Sequence, residues 1–310
     1  MKQLKILSIN ISKDKGTVKY PVSEAFLSFT GITGDAHAGL WHRQVSMLAI
    51  ESIRRFENVL NRKIEVGEFA ENLTTEGFDL LETNPLDIFE GNEVVLQVTQ
   101  IGKSCHGNGC SIFRQVGKCV MPTEGIFLKV LKQGNLKVGD ILTFKPKVYK
   151  CKIITLSTRA YHGIYEDRSG PAIIQYLENY FNEKKLLHKI DYELIPDDAE
   201  LLKNSIIKLV DENYDFLLTT GGTGISKNDI TVDTIQPMLE KEIPGIMEYI
   251  RIKYGSNKPQ ALLSRGVAGI IKNTVVFTLP GSVKAVNEYM VEILPHFQHI
   301  SYMLNGIDSH

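Results

Sequence analysis

Two kinds of hydrophobic spacing divide the chain. Up to about residue 145 the apolar positions come in short β-branched stretches, KQLKILSINIS, EVVLQVTQIG and VGDILTF, each bounded by Gly, Asn or Asp. Runs of this length closed by turn residues predict strands. Only the segment from about Ala49 to Leu60 is spaced as a helix. Glycine is frequent here, as the tight turns of a compact barrel require. Residues 1–146 are therefore expected to form a mainly-β, barrel-like domain.

The spacing changes near Lys145-Pro146-Lys147. KIITL, Lys152 to Leu156, is continuously apolar, as in a strand buried on both faces. Pro171 stands where a helix would start, and Ile173, Tyr176, Leu177, Tyr180 and Phe181 follow at helical spacing. Asp198 is a candidate N-cap for a helix carrying Leu201, Leu202, Ile206 and Leu209, after which DFLLTT predicts a strand. A further strand, TVVFTLP, precedes a helix with Val286, Tyr289, Met290 and Ile293. Strands alternating with helices predict an α/β domain over residues 150–310, with a mostly parallel sheet flanked by helices.

Composition narrows the function classes. At 310 residues, 43% hydrophobic and 23% charged, the chain has the make-up of an ordinary soluble protein of two domains. A formal net charge of −1 provides no global basic field for nucleic acid or an anionic membrane. No apolar run approaches the ~18–20 residues of a spanning helix, and the N-terminus lacks a signal peptide's apolar core. A cytoplasmic location is expected. There the four cysteines would be buried thiols, metal ligands or reactive groups rather than a disulfide framework.

The clearest chemistry lies in Thr219-Thr220-Gly221-Gly222-Thr223-Gly224, directly after the strand DFLL. Ligands of open α/β sheets bind at the carboxyl ends of strands, where glycines let the backbone approach a phosphate and consecutive amides form an anion nest. A turn needing positive φ is the plainer alternative. Two more loops end strands on the same rim: Leu279-Pro280-Gly281-Ser282, and Leu156-Ser157-Thr158-Arg159, whose arginine could grip a phosphate bidentately. Asp198 is expected to cap a helix. Asp197 and Asp229 are candidates for magnesium, which favours one or two carboxylates beside substrate phosphates.

TTGGTGISKNDIT resembles the signature of the molybdopterin-binding family, which includes molybdopterin adenylyltransferases. ITLSTRAYHGIYEDRSGPAI, LIPDD, EIPGIMEYIR, ALLSRGVAGI and FTLPGS fall in the family's order and cover nearly all of residues 150–305. The resemblance implies phosphate at Gly221, Gly222, Thr223 and Gly224, and catalytic carboxylates at Asp197 and Asp229. It also places Glu242, Ser264 and Arg265 along the pterin or nucleotide site. Many relatives have Asp where this chain has Thr158 and a basic residue where it has Asn228. The implied reaction is transfer of adenylate from ATP to the terminal phosphate of molybdopterin, with Mg2+ and release of pyrophosphate. A phosphate monoester is already anionic at pH 7, so catalysis needs positioning, donors and metal rather than a strong base. A carrier that holds molybdopterin or finished cofactor without catalysis is the alternative. The family further implies a homo-oligomer, a trimer, and partners such as a molybdate-inserting enzyme or a cofactor-accepting apoenzyme.

In the first half, Lys103-Ser104-Cys105-His106 and Cys110 follow a strand-like run, and Cys119 lies further on. The spacing differs from that of common zinc modules. Cys105 sits beside Lys103, His106 and glycines, a setting that favours thiolate. Gly34-Asp35-Ala36-His37, His42-Arg43-Gln44 and Gly67-Glu68…Glu71-Asn72 concentrate polar groups in loops. Together with the cysteine, these segments resemble the MOSC domain, named for the C-terminal domain of molybdenum cofactor sulfurases, over roughly residues 3–145. The resemblance implies that Cys105 carries sulfur or touches the molybdenum centre, with His37 and Arg43 in cofactor contact. Cys105 should titrate below the free-thiol value of ~8.5 and be alkylated at neutral pH faster than Cys119 or Cys151. An unreactive Cys105, or stoichiometric zinc lost on Cys110→Ser, would make the cysteine structural instead.

Overall fold

A computed structural model describes residues 2–103 and 119–307 and divides into two compact units. The first runs to Lys147 and also takes in residues 305–307; the second is Val148–Leu304.

The first unit contains β1 (Gln3–Ile11), β2 (Tyr20–Val22), β3 (Glu24–Ser28), β4 (Gly31–Ile32), β5 (Val45–Ala49), α1 (Ile50–Leu60) and β6 (Leu73–Glu76). β7 (Ile88–Glu90), β8 (Val95–Ile101), α2 (Met121–Glu124), β9 (Ile126–Lys132), β10 (Gly134–Lys137) and β11 (Ile141–Lys145) follow. Seven strands close a barrel in the order β11-β7-β8-β9-β5-β6-β1, and β1 returns to β11 at Leu4 opposite Leu142. β2 pairs with the far end of β1, while β10, β3 and β4 form a separate small sheet. Among the described residues of the barrel, only β5 and β6 run parallel. Parallel neighbours require a crossover, and α1, the one helix read from spacing in this half, provides it. Alternation along β1 sends Leu4 and Ile6 into a core shared with Met47, Leu96 and Leu128. The Phe78, Phe89 and Phe144 rings meet there with centroids 4.7 to 5.7 Å apart.

A polar knot is also buried in this unit. Lys19 is enclosed and donates to Asp35, to Ser12 Oγ at 3.3 Å and to His37 Nδ1 at 3.2 Å. Burial pushes the Asp35 carboxyl up, but hydrogen bonds from His37, Lys19 and the Ser12 amide, with the Lys19 charge, outweigh it and hold the group well below the usual carboxylate range. Gly67 allows the chain to pass against Lys19: its φ is 84°, and a Cβ there would strike the Lys19 carbonyl. The Gly67 amide in turn donates to Glu71 at 2.6 Å. Burial raises the Glu71 carboxyl despite this bond and one from Thr74.

The second unit alternates as expected. Its elements are β12 (Val148–Leu156), α3 (Thr158–Tyr161), α4 (Ser169–Glu183), β13 (Leu187–Ile195), α5 (Ala199–Asp211), β14 (Phe216–Thr220) and α6 (Thr231–Ile235). β15 (Lys241–Glu242), α7 (Pro244–Gly255), β16 (Ala268–Ile271), β17 (Thr274–Leu279), α8 (Val283–Ile293) and α9 (Phe297–Leu304) complete it. The sheet is mixed, in the order β13-β12-β14-β17-β16-β15. The first four strands are mutually parallel, and β16 and β15 add antiparallel pairings at one edge. One face carries Ile154, Leu217 and Val276 against Leu202, Ile206 and Leu209 of α5. On the other, Tyr149 stacks on Phe181 of α4, and Phe216 stacks on Phe297 of α9 with centroids 4.0 Å apart. Asp198 caps α5 through the Glu200 and Leu201 amides, as its position in the sequence predicts. Among the described residues no helix is long and apolar enough to cross a membrane.

Lys19→Met would leave the Asp35 carboxylate buried without its cation, at an expected cost of about 3–5 kcal/mol in chemical denaturation. Adding Asp35→Leu should recover much of that loss. Because the Asp35 carboxyl is held low, its contribution is present above pH ~4 and is lost as the pH falls further, so the wild-type advantage should shrink on acidification. Additive losses that do not change with pH would contradict this.

Candidate active site of the second unit

The parallel strands β12, β14 and β17 end side by side, and their loops form one wall of a cavity of about 720 Å³. Leu156 ends β12 and Ser157 follows it, Gly221 to Gly224 follow β14, and Pro280, Gly281 and Ser282 follow β17. Asp197 and Asp229 line the same cavity.

The glycine loop is shaped by steric necessity. Gly221 and Gly222 have φ of 100° and 64°, and a Cβ would collide with the Leu156 carbonyl at the first and with Thr231 Oγ1 at the second. Its course is held from both sides. The Gly221 amide donates to Leu279 O at 3.0 Å, and Thr231 Oγ1 donates to Gly221 O at 2.8 Å. Thr220 Oγ1 donates to Pro280 O, tying the loop to the third strand end. Both readings of the motif thus meet here: the turn needs positive φ, and its backbone lines a cavity.

Two carboxylates are fixed differently. Asp197 Oδ2 accepts from the Thr158 amide at 2.9 Å and from Thr158 Oγ1 at 2.8 Å, and the Asp197 amide donates back to Thr158 Oγ1. Thr158 is thus a neutral clasp for Asp197 rather than a third carboxylate. Asp229 Oδ2 accepts from the Ser226 amide at 2.7 Å. Burial raises the Asp229 carboxyl, but bonds from Ser226 and the Gly224 amide, with the Arg265 charge, outweigh it and keep the group below its ordinary value. Asp229 therefore stays anionic. Among the described residues no group of three or more His, Cys, Asp or Glu could hold a metal. Two hard carboxylates beside an amide cradle fit a metal completed by substrate phosphate and water.

Comparison with known proteins follows this division. Residues 152–299 match the family described as a probable molybdopterin binding domain, and residues 34–143 match the MOSC domain. The C-terminal half is 37% identical over 157 residues to a molybdopterin adenylyltransferase of Helicobacter pylori, covering 50% of this chain and 86% of the relative. The chain belongs to the molybdopterin-binding family. A molybdopterin adenylyltransferase of Pyrococcus furiosus is 37% identical over 160 residues, covering 50% of this chain and 90% of the relative. Gephyrin of Dictyostelium discoideum is 36% identical over 160 residues; the match covers 50% of this chain and only 22% of that longer protein.

Within this molybdopterin-binding unit the site residues read from the sequence separate into groups. Ser157, Asp197, Gly221 to Gly224, Asp229, Ser264, Pro280, Gly281 and Ser282 all line the cavity. Thr220 lies just behind it, buried. Arg159 is outside the wall, its guanidinium over the Tyr165 ring at 5.2 Å. Arg265 is taken up by the protein: Nε donates to Gly224 O at 2.8 Å, Nη2 to Asp229 O, and both terminal nitrogens to Asp233. It clamps the glycine loop to the Asp229 segment. Glu242, on β15, accepts from Gln236 and borders a smaller cavity of about 340 Å³ together with Ser264 and Arg265. The wall also includes Tyr165, Arg251, Tyr254, Lys258 and Glu288, which sequence reasoning missed. Arg251 and Tyr254 lie on α7 and Glu288 on α8, whereas Tyr165 and Lys258 lie in loops, and helical spacing is the only signal the first three carry.

In the MOSC unit, His37 is held by Lys19 and Asp35, and the Arg43 guanidinium stacks over the Trp41 ring at 4.9 Å. Arg43 Nε is buried with no hydrogen-bond partner among the described residues. Cys105, its neighbour His106 and Cys110 lie outside the described residues. Cys151 is buried and Cys119 half-buried.

Arg265→Met removes the clamp on the glycine loop without creating a cavity in the core. Amide hydrogen exchange at residues 221–229 should then quicken by about 10-fold or more, as loss of one charged hydrogen-bonding group implies. Unchanged exchange would show that the clamp does not set the loop.

Proposed function

We propose that the molybdopterin-binding unit adenylylates molybdopterin, taking ATP as the nucleotide donor. The observation that carries this reading is the convergence of three strand-end loops, rich in backbone amides, with Asp197 and Asp229 on one cavity wall. Amides of Gly222 and Thr223 and of the α8 N-terminus would hold phosphate oxygens, since the Gly221 amide is bonded to Leu279 O and that of Gly224 to Asp229. The terminal phosphate oxygen of molybdopterin forms a bond to the α-phosphorus of ATP as the bond to the bridging oxygen breaks, and pyrophosphate leaves. No general base is needed, because the attacking monoester is already ionised. The unit's contribution is to bring two anions into line and to exclude competing water. Magnesium, held by the Asp197 and Asp229 carboxylates, would offset the phosphate charge. Thr158 keeps Asp197 oriented without adding a further negative charge.

The relatives named molybdopterin adenylyltransferase support this reading through the C-terminal half alone. We assign cofactor binding or sulfur handling to the MOSC unit, on the family match over residues 34–143.

Asp197→Asn and Asp229→Asn should each reduce pyrophosphate release from ATP and molybdopterin by about 100-fold or more, while circular dichroism and thermal melting stay native. Cys105→Ser should leave that activity in place. Unchanged turnover in both aspartate variants would overturn the assignment, and a wild-type protein that binds molybdopterin but releases no pyrophosphate would favour a carrier.

A further inference from the structure

The main cavity extends beyond the phosphate cradle. Ser282 caps α8, and Ala285, Glu288 and Tyr289 of that helix continue the wall. From Ser282 to Glu288 the helix rises about 9 Å. Across from it, Arg251 and Tyr254 of α7, with Lys258 and Gln260 just after the helix, line the same space.

Some charges at this far end are spent on the protein itself. Glu292, one turn beyond Glu288, is taken by Lys253 at 2.6 Å and by Tyr254 Oη at 2.9 Å. Arg251 donates to Gly266 O at 3.0 Å, and Tyr289 Oη is bonded with Ser264 Oγ at 3.1 Å. The half-buried Glu288 carboxylate, by contrast, makes no hydrogen bond or ion pair among the described residues, and neither does the Lys258 ammonium. Both the Tyr254 and Tyr289 phenols are raised, chiefly by burial, and the Glu288 charge contributes to each. Glu288 shares the cavity wall with both tyrosines. A free carboxylate and a free ammonium on one concave, partly aromatic wall are groups that a polar heterocycle would satisfy.

We propose that Glu288 and Lys258 read the heterocycle of molybdopterin, Glu288 accepting from its 2-amino group and adjacent ring N–H while Lys258 donates to the ring carbonyl. This rests on the adenylyltransferase reading and names the residues that select its pterin substrate. Hydrogen-bond chemistry excludes adenine from this position. A carboxylate matches two neighbouring donors bidentately, whereas the amino group of adenine sits beside a ring nitrogen lone pair that a carboxylate repels. The two substrates are thereby told apart: phosphates of both meet the glycine cradle, and the donor–donor edge of the pterin alone suits Glu288.

The test uses the full chain, with a pterin bearing a phosphomonoester on its 6-substituent as one probe, followed by its own fluorescence, and ATP as the other. Glu288→Gln should weaken pterin binding by about 10- to 100-fold and Lys258→Met by about 3- to 10-fold, with ATP affinity within about 2-fold of wild type. Native circular dichroism is required of each variant, and if Glu288→Gln fails to fold, Lys258→Met decides. Unchanged pterin affinity in the folded variants, or an equal loss for ATP, overturns the proposal. The two readings fail separately. Wild-type turnover with pterin binding indifferent to Glu288 removes this inference alone. Pterin binding that depends on Glu288 in a protein releasing no pyrophosphate removes the adenylyltransferase reading and leaves the recognition site standing.

Discussion

At Gly221 the chain passes so close to the Leu156 carbonyl that no side chain fits between them, and Gly281 packs tightly against its other side. That close approach joins the ends of β12, β14 and β17, the three parallel strands whose loops build the cavity wall. It sets the direction of the amides that follow, and it brings Asp229 against Gly224, where a Cβ would lie 2.8 Å from the carboxylate. Arg265 then locks the arrangement from outside by bonding to Gly224 O, Asp229 O and Asp233 at once. Remove the close approach and the cradle, the carboxylate beside it and the clamp lose their common reference.

The MOSC unit solves a different problem. Its described strands close on themselves, β1 pairing with β11, and the parallel pairing of β5 with β6 is accommodated by α1. The unit nonetheless buries charged groups that a simple barrel core would omit. Lys19, Asp35 and Glu71 are held by Gly67, Ser12, Thr74 and His37. Buried ions of this kind are rarely a source of stability, because desolvation offsets the attraction. They do fix geometry, and here they fix the loop carrying His37, one of the segments by which this half resembles its family.

What could be read from sequence follows the range of the interactions. Short-range signals were legible: the KIITL run became β12, the periodic residues after Pro171 became α4, and Asp198 capped α5. Family motifs carried the glycine loop and both aspartates. The antiparallel edge of β15 and β16 was not legible, because two and four residues are too short to show a period. The role of Arg265 was misplaced for a similar reason. Beside a phosphate-binding motif an arginine suggests ligand contact, but its partners Gly224, Asp229 and Asp233 are 32 to 41 positions away.

The sequence by itself determined the two-part organisation, the alternation of strand and helix in the second half, and the backbone freedom at Gly221 and Gly222, since each depends on residue type and near neighbours. The tertiary structure alone decided which polar groups are paired within the protein and which are not. Thr158 became a clasp for Asp197 across 39 residues, and Glu292 was paired by Lys253 across another 39, while Glu288, one turn away on the same helix, has no such partner among the described residues. Identical side chains four positions apart look alike in a sequence. Only the packing of α7 against α8 settles which of them meets a partner within the protein.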